Sequence, residues 1–213
     1  MRKQPTHSEL CDLAVRWLKR ANSAGGHGCH VAVSEIASGW SGEIPDAIGF
    51  RVGAPDSGSV VVEVKVSRQD FKADMQKPHR NGAVVGLGNW RYYMCPEGII
   101  KKSDLPPKYG LLYVNSRGHI KPVLSPFQQT NYFERVEHLN AFKMDSDHER
   151  EIFILTRLFS RVGDEEKLNK DLKEARNRAS YFAGKYDALK SDHRSMSAEL
   201  YSLRQKIESM SEV

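Results

Sequence analysis

The apolar residues of the chain change period several times, and each change marks an element. Leu10, Leu13, Ala14, Trp17, Leu18 and Ala21 recur at helical spacing, so Ser8 to Ala21 is expected to be a helix, with Thr6 or Ser8 capping its start. Asn22-Ser23-Ala24-Gly25-Gly26 breaks it. Three strands are expected next: His30 to Ile36, Ile44 to Val52 and Val60 to Val66, the last two joined by a Pro/Asp/Ser/Gly loop. Val60 to Val66 is valine-rich on both faces, as a central strand is. Ser67 and Asp70 then have the spacing of a capping box before Phe71, so a helix runs to about Gln76 and stops at Lys77-Pro78. Tyr92 to Cys95, Leu111 to Val114 and His119 to Val123 read as further strands.

From about Asp147 the pattern becomes wholly helical. Glu149 to Val162 turns Ile152, Leu155, Leu158 and Phe159 inward. Beyond Asp164 there is no proline, and Leu168, Leu172, Ala175, Ala179, Phe182, Tyr186, Leu189, His193, Met196, Leu200, Leu203, Ile207 and Met210 follow in steps of four and three. That is a heptad series, and a stripe so narrow needs a partner helix, from another copy or another protein. The expected organisation is an α/β domain over 1–146 with a mixed central sheet flanked by helices. A helical tail follows over 147–213, with a coiled coil over about 165–211.

Composition narrows the class. With 39% hydrophobic and 28% charged residues among 213, the chain is expected to be globular. No stretch approaches the ~20 apolar residues of a membrane span. The basic start, Met1-Arg2-Lys3, is followed by no apolar region of a signal peptide. Three scattered cysteines make no disulfide framework, so a cytoplasmic location is expected. Net charge is +5. Gly163 to Val213 holds ten basic and ten acidic residues, so the whole excess lies in the first 162. A polyanionic partner, nucleic acid, fits that excess.

The chemistry concentrates in Pro45-Asp46 and Glu63-Val64-Lys65. Side chains alternate along a strand, so Glu63 and Lys65 share a face while Val62, Val64 and Val66 take the other. A hairpin brings Asp46 beside Glu63. Two carboxylates and a lysine on a mostly apolar face are costly unless paired, and Mg²⁺ (or Mn²⁺), which takes hard oxygen ligands, would pair them. Asp46 and Glu63 are the expected metal ligands, with the Val64 carbonyl as a further one and Glu35 as an additional acid. Glu43 and Glu9 compete for the role of Glu35. Lys65 is expected to activate water or stabilise charge: burial lowers its pKa towards that of a base, and a neighbouring carboxylate opposes this. Lys72, Lys77, His79, Arg80 and Arg91 are candidate phosphate contacts, and Trp90, Tyr92 and Tyr93 candidate stacking platforms. His27, Cys29 and His30 are zinc ligands by type, without a second set to complete four.

Pro45-Asp46 followed by Glu63-Val64-Lys65 resembles the PD-(D/E)xK nuclease superfamily. Val33-Ser34-Glu35, Pro45-Asp46-Ala47-Ile48 and the run from Glu63 to Asp74 look like the MmcB-like DNA-repair proteins, as does Trp90 to Pro96 in character. The match covers about residues 30 to 120. It departs at Val66, where that family has a small polar residue, and at the glycine-bearing loop from Gly82 to Trp90. The resemblance implies a restriction-endonuclease-like core and a Mg²⁺-dependent endonuclease acting on DNA rather than RNA, in repair, phage or defence. The alternative is an inactive member of the fold that binds nucleic acid or protein, oligomerised by its coiled coil.

Overall fold

A computed structural model of the chain describes residues 4–40, 42–53, 56–80, 84–128, 131–161 and 163–211. The first helix, α1 (His7–Lys19), starts in a full capping box: the Thr6 hydroxyl accepts from the Glu9 amide while Glu9 accepts from the Thr6 amide. Glu9 is thereby spent on the helix start. The strands are β1 (Val31–Ser34), β2 (Ala47–Arg51), β3 (Gly58–Val64), β4 (Trp90–Pro96), β5 (Tyr109–Val114) and β6 (Ile120–Leu124), and they form one sheet in chain order. The pairs β1–β2, β2–β3 and β5–β6 are antiparallel, while β3–β4 and β4–β5 are parallel. A parallel neighbour needs a crossover, and the one between β3 and β4 carries α2 (Arg68–Asp74). The mixed sheet is therefore as the apolar pattern implies.

Period-two alternation sorts the two faces. Val60, Val62 and Val64 pack with Trp90, Tyr92 and Met94 beneath Leu10, Ala14, Trp17 and Leu18 of α1. On the other face Tyr93, Cys95 and Leu111 meet Phe71 of α2. Trp90, Tyr92 and Tyr93 are thus core residues, not stacking platforms.

Two helices close the first unit: α3 (Tyr132–Phe142), which the periodicity does not announce, and α4 (His148–Ser160). The compact unit runs through Arg157, because α4 turns Glu151 and Ile154 inward, whereas Ile152 and Phe159, expected to face inward, are exposed; Glu151 accepts from Ser59 Oγ at 2.5 Å and from the Gly88 amide at 3.0 Å. Gly88 has φ +88°, and a Cβ there would press on Val61 at 2.9 Å, so this turn over β3 requires glycine.

The second unit is dominated by α5 (Glu165–Ser211), 47 residues long. Its side chains from 166 to 207 are exposed, the heptad stripe from Leu168 to Ile207 included, and the Met210 side chain lies outside the described residues. No helix among the described residues is long and apolar enough to cross a membrane.

Candidate functional site

Residue Asp46 stands at the mouth of β2, one residue before Ala47, rather than inside a strand beginning at Ile44. Ile44 is exposed instead of flanking it. The β2–β3 register, Ala47 opposite Val62, carries Asp46 past Glu63, where its Oδ2 accepts the Val64 N–H at 2.7 Å. The amide of Val64, not its carbonyl, makes this contact. β3 ends at Val64, but the Lys65 amide still donates to Met94 O at 2.9 Å, and this holds the lysine in line with the strand.

Glu63 and Lys65 share the α2 face, as alternation requires. The Lys65 ammonium lies 3.7 Å from Asp46 Oδ2, 3.5 Å from Glu63 Oε2 and 3.4 Å from Asp74 Oδ1. Two neighbours complete the cluster. Asp74, the last residue of α2, receives Lys77 Nζ at 2.8 Å, Arg80 Nε at 2.8 Å and the Tyr93 hydroxyl at 2.9 Å. Arg80 also reaches Glu63 at 2.9 Å and Glu43 at 3.4 Å, and Glu43 meets His79 at 3.1 Å. The local cause is α2: the Ser67 hydroxyl accepts the Asp70 amide, which starts a short helix that turns Phe71 and Asp74 to the sheet. Asp70 itself accepts from the Val66 amide, so it belongs to the helix start and not to the cluster.

Burial sets the electrostatics. It pushes the Glu63 carboxyl above its ordinary value, against the pull of Arg80. Burial disfavours the Lys65 ammonium too, but Glu63, Asp74 and Asp46 together outweigh it and hold the lysine above its ordinary value. Of the two opposed effects on Lys65, the acids outweigh burial and favour its charged form. Asp74 is held well below the carboxylate range despite burial, because Arg80, Lys65 and Lys77 favour its charge. Glu43 is likewise lowered: burial opposes, while His79 and Arg80 prevail.

Asp46, Glu63, Asp74 and Glu43 bring four carboxylates, and Lys65, Arg80 and Lys77 bring three permanent positive charges. Glu63 Oε1 is buried without a hydrogen bond, although Arg80 lies at ion-pair distance. Asp46 and Glu63 present carboxylate oxygens, the donor type that Mg²⁺ or Mn²⁺ takes, and are the residues that could hold such an ion.

Other candidates lie elsewhere. Glu35 follows β1 with φ +50° and an exposed side chain, its amide donates to Asp46 O at 3.3 Å, and its charge acts on the Cys11 thiol together with that of Asp46. Arg80 is buried within the acid cluster, and Arg91 donates to the carbonyls of Gly86, Leu87, Gly88 and Asp145, so both guanidinium groups have partners within the protein. Lys72 and Lys77 are exposed, and His79 is half-buried against Glu43. His27 is a core residue among Trp17, Trp90, Tyr92 and Phe127. Burial lowers its pKa, and its Nε2 is 2.6 Å from the Tyr92 hydroxyl. His27, Cys29 and His30 do not gather. A cluster the sequence reading missed is His7, Cys11 and Asp46, with ligand atoms within 4.8 Å of one another. The His7 ring lies between the other two, 3.5 Å from Cys11 Sγ and 3.3 Å from Asp46 Oδ1. The spacing of His7 and Cys11, one helical turn apart, was its signal.

No family model matches the chain, and no curated protein matches it. Among solved structures it is similar to the SPO1766 protein of unknown function from Silicibacter pomeroyi. The two are 20% identical over 78% of this chain and 96% of that one, with a TM-score of 0.41. A likeness of that size decides nothing about fold or function.

Proposed function

We propose that the six-stranded unit is a restriction-endonuclease-like domain of the PD-(D/E)xK type, and that it hydrolyses phosphodiester bonds in DNA with Mg²⁺ or Mn²⁺. The observation that carries the reading is the convergence of Asp46, Glu63 and Lys65 from neighbouring strands, with the ammonium within 3.7 Å of both acids. The positive excess of the first 162 residues supports a polyanionic substrate.

Asp46 and Glu63 would hold the cation, which would supply Lewis acidity and a water of lowered pKa. The three acids around Lys65 favour its charged form, which suits it to stabilise negative charge on a phosphate oxygen. Asp46 orients its inner oxygen through the Val64 amide, which leaves the outer one towards His7. Of the three side chains only Asp46 has real solvent contact, 18% against 3% and 5%, so the phosphate approaches from its side.

A second reading, a nuclease-fold module that binds without cutting, draws on one observation: Lys65 and Arg80 already pair the buried acids. Incubation of supercoiled plasmid, single-stranded DNA and RNA with Mg²⁺ or Mn²⁺ separates the two. The hydrolase reading expects cleavage by the wild type, and its loss by at least a hundredfold in Asp46→Asn and Lys65→Met, on the scale of a lost charge-stabilising group. A folded wild type that cuts none of the three substrates with either metal refutes it.

A further inference from the structure

The heptad stripe of α5 offers a surface whose occupant the charges flanking it identify. Taking Leu172, Ala179, Tyr186, His193, Leu200 and Ile207 as a positions makes Leu168, Ala175, Phe182, Leu189, Met196 and Leu203 the d positions. These side chains are exposed along a continuous helix. The g positions are then Asp171, Arg178, Lys185, Asp192, Glu199 and Lys206, and the e positions Asn169, Arg176, Ala183, Lys190, Ser197 and Arg204. In an antiparallel pair, g residues face g residues and e face e. In a parallel pair, each g faces the e of the following heptad.

We propose that α5 pairs antiparallel with α5 of a second copy of this chain, in the register that sets Tyr186 against Leu189 of the second copy. In that register the g rows read Asp171 against Lys206, Arg178 against Glu199 and Lys185 against Asp192, each met twice through the two-fold axis. Every pair is opposite in sign. The e rows set Arg204 against Asn169, Arg176 against Ser197 and Lys190 against Ala183, so no like charges meet. The core agrees: Ala175 meets Leu200, Ala179 meets Met196, Phe182 meets His193 and Leu172 meets Leu203, so each small residue faces a long one. Sliding by one heptad brings Lys185 against itself in one direction and Asp192 against itself in the other. A parallel pair stacks Ala175 on Ala175, Ala179 on Ala179 and His193 on His193. It also sets Lys185 against Lys190, which leaves only Asp171–Arg176 and Glu199–Arg204 attractive. The charge pattern therefore selects partner, direction and register together. The inference does not depend on the hydrolase reading.

The test uses the full chain. Its three native cysteines are buried and do not interfere. Light scattering should give twice the chain mass. Leu172→Cys and Leu203→Cys variants are prepared separately, mixed under reducing conditions and then oxidised. The antiparallel register predicts a cross-linked dimer in the mixture and none in either variant alone, where the thiols stand about 46 Å apart. Cross-linking of either single variant means a parallel pair and overturns the proposal. So does a dimer that cross-links in neither case, or a monomer. Charge gives an independent reading: Lys185→Glu should weaken the dimer about tenfold, because two attractive pairs become repulsive. In a parallel pair the same change would tighten it.

Discussion

Arg80→Met is the substitution that most directly probes the buried charges. The Arg80 guanidinium is 1% exposed and touches Glu63 at 2.9 Å, Asp74 at 2.8 Å and Glu43 at 3.4 Å. Methionine fills much of the volume and removes the charge. At an effective dielectric near 20, a pair at ~3 Å is worth about 5 kcal/mol before desolvation is subtracted. Removing one partner of a buried network leaves the acids uncompensated, at a net cost of about 3–5 kcal/mol. The sign with pH is opposite to that of ordinary acid denaturation. In the wild type, Asp74 is held below its unfolded value. It therefore contributes stability above ~pH 4 that is lost as pH falls further. In the variant the orphaned acids, Glu63 first, have folded values raised by burial, so protonating them removes the penalty and the deficit shrinks from pH 7.5 towards pH 5. Urea unfolding of both proteins at the two pH values measures this. A deficit below ~1 kcal/mol, or one unchanged between the two, refutes the picture of a buried network resting on Arg80.

The other consequences are briefer. Lys65→Met should abolish metal-dependent cleavage, and the wild-type pH–rate profile should show no rising limb from loss of the lysine proton below ~pH 9, since the ammonium is held above its ordinary value. A limb that vanishes in Lys65→Arg would contradict this. His27 is buried and neutral with its pKa lowered, so it contributes stability above ~pH 6.5 that falls by about 1.4 kcal/mol per unit as pH drops below that. Calorimetry of His27→Phe should show a flatter decline between pH 6.5 and 5, and an identical decline would count against it. Cys11 and Cys29 are buried, with thiols pushed up to about 12, mainly by burial. Both should react with a thiol reagent at least a hundredfold more slowly in the native protein than in urea, and fast labelling would show that they are open.

The sheet was readable because Val60 to Val66 is valine-rich on both faces, and from Val62 onward valine alternates with Glu63 and Lys65, so the charged pair falls on one face without coordinates. The same alternation paired Glu63 with Lys65, and the short loop before β3 implied the hairpin that delivers Asp46. Arg80 was not readable. After Lys77-Pro78 it resembles a solvated basic run, and its burial follows from the way residues 75–80 close over the acids, a long-range outcome with no local signature. Asp74 stood in the quoted run but was not singled out, because a residue one turn after the capping Asp70 reads as a solvated helix end. Its inward direction comes from its place three residues after Phe71. The left-handed φ of Glu35, which turns the chain as β1 ends, has no signal in the alternation either. Helix α3 escaped because it buries only Leu139 and so leaves no apolar stripe.

The central claim concerns what Asp46 and Glu63 do with their shared charge. Crystals soaked in Mn²⁺ and measured at the manganese absorption edge answer it. The account predicts an anomalous peak within about 2.5 Å of one oxygen from each acid, with the Lys65 ammonium drawn back from between them. A map without such a peak, with Lys65 still bridging the two carboxylates, or a peak held by His7 and Cys11 with Glu63 uninvolved, would contradict it.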